Sequence, residues 1–156
     1  MGKRILLFLL VLALGLSAGA AAQELRGPVT REQILEGCPG WADGTAAYSP
    51  SPEAVAKLQQ LDRPVQIEVY LGSWCSDSKL HVPAFIKVMD IVASPLITVS
   101  YIGIPQEKTA RAEASAEKNI QKIPTFVVLV DGVEKGRIIE TPAKSVEQDL
   151  VDIIFR

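Results

Sequence analysis

The residue best placed to do chemistry is Cys75, in the stretch Trp74-Cys75-Ser76-Asp77-Ser78. A strand-like apolar run ends just before it and a helical pattern begins at it, so the sulfur sits at the first turn of a helix. Unpaired backbone N–H groups and the positive end of the helix dipole meet there, and both favour thiolate over thiol. Such a sulfur is a nucleophile. Ser78, one turn on, could donate a hydrogen bond to it, whereas the nearby carboxylate of Asp77 raises a thiol's pKa. Lys79 is also one turn from Cys75, although a solvated lysine is the commoner case. His81 is the only histidine and lies six positions after Cys75. That is about 240° round an ideal helix, so His81 reads as a surface residue, not a base. Trp74 reads equally well as a rim aromatic packed on its own helix and as a platform for a client.

The other thiol is Cys38, in the turn-like Gly37-Cys38-Pro39-Gly40. Three roles stay open for it: disulfide partner of Cys75, distant resolving thiol, or bystander. A Cys38–Cys75 bond would close a loop of 37 residues. In the chain-entropy model it would stabilise the fold by about 3 to 4 kcal/mol, and it would silence Cys75 until reduced. One histidine and two cysteines cannot fill the four-ligand shell of a structural zinc site, so neither metal nor other cofactor is expected. Lys plus Arg number 16 against 18 Asp plus Glu, for a formal charge of -2, and no basic stripe points to nucleic acid.

The elements that must position these residues follow from patterning. Lys3 and Arg4 precede the apolar run Ile5 to Leu16, and Ala20-Ala21-Ala22 offers a small-residue cleavage site before Gln23. The run is shorter than the roughly 20 residues that span a bilayer. Residues 1–22 are therefore expected to be a cleaved signal peptide. The mature chain would have 134 residues with 14 cations and 18 carboxylates, a charge of -4, and no membrane segment. Its acidic balance argues weakly against anionic substrates. It is expected to be exported, periplasmic or extracellular, and monomeric.

Residues 23–50 read as an irregular N-terminal extension with a short helix at Arg31 to Glu36, and residues 51–156 as the principal domain. Ser51 and Pro52 look like the N-cap and first residue of a helix whose apolar face carries Val55, Leu58 and Leu61. Val65, Ile67, Val69 and Leu71 alternate with Gln66, Glu68 and Tyr70, a strand with one strongly apolar face. A helix from about Cys75 to Ile91 follows, with Leu80, Ala84, Phe85, Val88 and Val92 on one side and Pro83 inside it. Leu96 to Ile102 is a second strand, so these elements make a βαβ unit. Glu107 to Asn119 reads as a solvated helix. The run Phe126 to Val130 and a strand over about Glu134 to Ile139 flank Asp131-Gly132, a type I′ hairpin signal. Ser145 opens the last helix with a capping-box pattern, placing Val146, Leu150, Ile153 and Ile154 in the core. The expected order is αβαβαββα, an α/β fold with a mixed β-sheet sandwiched by helices.

From about Ser51 to Phe155 the chain resembles the thioredoxin-fold family. Trp74-Cys75-x-x-Ser78 stands where that family has W-C-x-x-C after its central strand. Pro83, eight residues beyond Cys75, matches the proline of the family's active-site helix. Ile123-Pro124-Thr125 matches its cis-proline loop. Within the family the chain looks most like exported proteins bearing W-C-x-D-S and a G-R-I-x-E-x-P stretch, here Gly136-Arg137-Ile138-Ile139-Glu140-Thr141-Pro142.

The resemblance implies a thioredoxin-like sheet, a nucleophilic role for Cys75 with Ser78 as hydrogen-bond partner, and client docking on Trp74, Ile123 and Pro124. It implies clients that are Cys-containing proteins or small thiols. Two departures limit the chemistry. Ser78 replaces the second cysteine, so no resolving thiol lies within the motif, and Val69 replaces the buried acid that relays protons in thioredoxins. A single cysteine can form a mixed disulfide but needs another thiol to leave it. Monothiol exchange of isomerase or reductase type is the first expectation. A non-catalytic module that binds peptides or protein partners is the alternative.

Overall fold

The computed structural model describes residues 23–156; the expected signal peptide lies outside the described residues. In chain order the elements are β1 (Gly27–Val29), α1 (Arg31–Gly37), α2 (Trp41–Ala47), α3 (Pro52–Leu58), β2 (Val65–Leu71), α4 (Ser76–Val92), β3 (Ile97–Gly103), α5 (Lys108–Ala116), β4 (Thr125–Val130), β5 (Val133–Ile139) and α6 (Val146–Ile154). From α3 onward they follow the order read from the sequence. The five strands form one sheet in the order β1-β3-β2-β4-β5. β2 and β3 run parallel, as the βαβ pattern requires, and β2–β4, β4–β5 and β1–β3 are antiparallel.

Local sequence explains most element ends. Ser51 Oγ accepts a hydrogen bond from Ala54 N–H, with Pro52 opening α3. Ser145 Oγ likewise accepts from Gln148 N–H at the start of α6. Asp131 and Gly132 have φ of 51° and 76°, the paired positive values that a type I′ turn demands. Val146, Leu150, Ile153 and Ile154 are all buried, as their helical spacing predicts.

The sheet's two faces are unequal because β2 is. Its odd positions, Val65, Ile67, Val69 and Leu71, enter the main core with Phe85 of α4, Phe126 and Val128 of β4, and Leu150 of α6. Its even positions, Gln66, Glu68 and Tyr70, grade from exposed to buried toward the site end. Only there does a second, smaller cluster form, from Tyr70, Ile104, Ile120 and Val127 beside α5.

Two expectations change. The segment 23–50, read as irregular apart from one helix, carries β1, α1 and α2. β1 adds an edge strand to β3, and Ile34, Cys38 and Trp41 enter the main core. α1 is the short helix expected at Arg31 to Glu36, whereas β1 and α2 are too short for a hydrophobic period to be visible. Leu80, expected on the buried side of α4, is 67% exposed. The stripe that buries runs through Ser78, Val82, Phe85 and Ile86. Leu80 is two residues past Ser78, about 200° round the helix.

Candidate functional site

Gly72 and the loop after β2 set up the site. Cys75 N–H donates to Gly72 O at 3.0 Å, closing a tight turn. Gly72 N–H donates to Ser78 Oγ at 3.2 Å. A Cβ on Gly72 would lie 2.7 Å from Ile123 Cδ1 and 3.0 Å from the Trp74 ring. Only glycine leaves room for both. This requirement could have been read from a glycine placed between a buried strand and Trp74-Cys75. Ser73 Oγ accepts from Leu25 N–H at 3.2 Å, so the chain just before β1 also braces the loop.

Cys75 is the N-cap of α4, and no side chain caps that helix. The first-turn N–H groups are thus left for whatever charge the sulfur carries. The thiol is half-buried and donates to Ile123 O at 3.3 Å across 48 positions of sequence. The Ile123–Pro124 bond is cis, as expected. Thr125 Oγ1 donates to Lys122 O at 2.7 Å and Glu140 N–H to Pro124 O at 2.7 Å, which fixes the loop facing the thiol.

Ser78 behaves differently from its expected role. It is fully buried, and its oxygen is engaged by Gly72 N–H, while the hydrogen bond of the Cys75 thiol goes to Ile123. It sits two residues inside the helix, where its backbone holds it against the β2 end. Ser78 is therefore a tie between loop and helix in this state. Trp74 Nε1–H donates to Ile104 O at 2.9 Å, and the Arg111 guanidinium lies 5.5 Å from its ring. Trp74 forms one wall of a cavity of about 530 Å³ that opens beside Cys75.

The other candidates separate cleanly. Cys38 ends α1 and is 1% exposed; burial pushes its thiol pKa up, which disfavours the thiolate. Both thiols are free. His81 is half-buried; burial lowers its pKa and the Asp77 charge works against that. Lys79 is exposed and Val69 is sealed in the core. Among the described residues no three His, Cys, Asp or Glu side chains converge as a metal site would need. Sequence reasoning missed three cations that line the cavity with Cys75: Lys108 and Arg111 of α5, and Lys122. The only sequence signal for the α5 pair is two cations three apart in a helix otherwise read as solvated, and Lys122 has none.

A family model described as thioredoxin matches residues 41–152. The chain belongs to the thioredoxin family. Among solved structures, a protein of unknown function from Pseudomonas aeruginosa is similar, with 19% identity, a TM-score of 0.57 and 81% of each chain covered. An HIV epitope scaffold gives 20% identity and a TM-score of 0.55, over 81% of this chain and 76% of its own. Mitochondrial thioredoxin 3 from Saccharomyces cerevisiae gives 19% identity and a TM-score of 0.45, over 70% and 98%. No curated protein matches. The family match begins at Trp41, so it includes α2 as well as the elements from α3 onward.

Proposed function

We propose that the protein performs thiol–disulfide exchange through Cys75 alone, in an exported, oxidising compartment reached by a signal peptide at residues 1–22. The observation that carries this reading is a half-exposed thiol at the uncapped N-terminus of the 17-residue α4, facing the Ile123–Pro124 loop at the mouth of a cavity. In the reaction the Cys75 thiolate attacks one sulfur of a client disulfide. A Cys75–client bond forms, and the client's other sulfur leaves with the electron pair and takes a proton from water. An external thiol, or the client's own freed thiol, then attacks the adduct and releases Cys75. Ser78 cannot perform that release, and Val69 offers no proton. The cycle therefore suits isomerisation and removal of small-thiol adducts better than net reduction. Trp74, Ile123 and Pro124 are the docking edge for a Cys-containing client, and the monomer is the working unit.

The tie of Ser78 to Gly72 favours a second reading, a module that holds Cys-bearing partners without turnover, because the motif supplies no leaving step. Refolding of a scrambled-disulfide substrate separates the two. Exchange predicts that the reduced protein accelerates refolding and that Cys75→Ser does not. Equal, background rates for both proteins would leave only the binding role.

A further inference from the structure

We propose that the cavity beside Cys75 receives a small disulfide bearing free carboxylates, selected by Lys108 and Arg111 of α5. This rests on the exchange chemistry proposed for Cys75 and adds the class of substrate. The volume, about 530 Å³, lies within the range of small-molecule sites and suits a ligand of tripeptide size. Ile104, Ala112, Ile120 and Ile123 supply its apolar lining, and Cys75 lines it too.

The lining charges differ in their pairing. Lys122 Nζ donates to Glu140, and the Asp77 charge also acts on it, so Lys122 is compensated. Lys108 and Arg111 are three apart on α5 and share a face. Neither pairs with a carboxylate among the described residues. Arg111 is instead held over the Trp74 ring. Two cations without carboxylate partners, lining one partly apolar cavity with a thiol, suit a carboxylate whose sulfur can reach Cys75. The acidic balance of the whole chain argued against anionic substrates; at this mouth three cations meet two carboxylates and the local sign is reversed.

In the bound pair the Cys75 thiolate attacks the near sulfur of the small disulfide. One small thiolate departs with the bonding electrons and takes a proton from water. The other half stays on Cys75 with its carboxylate toward α5. A second small thiol, reacting as its thiolate, attacks the adduct, reforms the small disulfide and restores Cys75.

The test follows Cys75 adducts by intact mass spectrometry with four probes: glutathione disulfide (anionic), cystamine (cationic), hydroxyethyl disulfide (neutral) and a neutral cystine peptide. Rates are normalised to those of an unstructured cysteine peptide. The protein is expected to favour glutathione disulfide over cystamine by about tenfold, and Lys108→Glu to cut that preference by about fivefold or more, as partly exposed ion pairs allow. Added salt should narrow the wild-type preference. If hydroxyethyl disulfide reacts but glutathione disulfide gains no preference, the substrate class is wrong and exchange at Cys75 survives. If no probe modifies Cys75 faster than the control peptide, both readings fall. If a neutral cystine peptide outpaces glutathione disulfide and Lys108→Glu changes neither rate, the cavity belongs to a peptide client and the proposal is overturned.

Discussion

At the residue scale, position 78 decides how far the chemistry goes. Its side chain is fully buried two residues inside α4, one turn from the Cys75 thiol. Ser78→Cys places a second sulfur on the same turn and supplies the missing intramolecular leaving step. Insulin reduction should then rise by about tenfold or more, given an external reductant. Unchanged reduction would point to proton transfer as the limit, because Val69 provides no acid at its buried position. The pattern around Cys75 was legible in the sequence because strand end, cysteine and helix start are consecutive. The actual partner of Ser78 was not legible. Whether a hydroxyl meets the sulfur or the Gly72 N–H depends on how the loop folds back, and no spacing rule encodes that.

At the element scale, Glu147 joins three helices. Its carboxylate, 2% exposed, accepts from Tyr48 Oη at 2.9 Å and from Ser51 N–H at 3.0 Å, linking the end of α2 and the N-cap of α3 to α6. Burial alone would raise its pKa. Hydrogen bonds led by that from Ser51 N–H outweigh burial and hold the carboxyl below its ordinary 4.5. Burial, then the bond to Glu147, raises the Tyr48 phenol to about 12. Glu147→Ala should cost about 2 kcal/mol at neutral pH, the scale of buried hydrogen bonds to a charged group. A carboxyl held low in the folded state contributes its stability above 4.5 and loses it as pH falls through the folded value. The gap between wild type and variant in urea unfolding should therefore narrow as pH falls below 4.5. A gap independent of pH would mean that the side chain acts by packing alone. Patterning gave α3 and α6 but not this link, since a lone glutamate at the second helical position reads as ordinary first-turn charge.

At the scale of the whole molecule, the N-terminal segment completes the fold. Ile34, Cys38 and Trp41 are nearly sealed in the main core, and Gly103 leaves no space between β3 and the incoming chain: a Cβ there would lie 2.5 Å from the Leu25 carbonyl carbon. A protein shortened to residues 51–156 should lose cooperative unfolding. Trp41→Ala should cost about 3 to 5 kcal/mol, as large core deletions do. Retention of the full melting temperature by the short form would show the segment to be dispensable. Elements with long periods or turn signatures, such as β2, α4 and the Asp131-Gly132 hairpin, were legible because their own residues dictate them. β1 and α2 were not, because three- and seven-residue pieces take their structure from β3 and α4. The central claim, a single exchanging thiol that works without Cys38, is tested most directly by non-reducing mass spectrometry after the reduced protein meets a cystine-bearing peptide. The account predicts a peptide disulfide on Cys75 that persists until external thiol is added and never forms on Cys75→Ser. Loss of the peptide with formation of a Cys38–Cys75 bond, or the absence of any adduct, would contradict it.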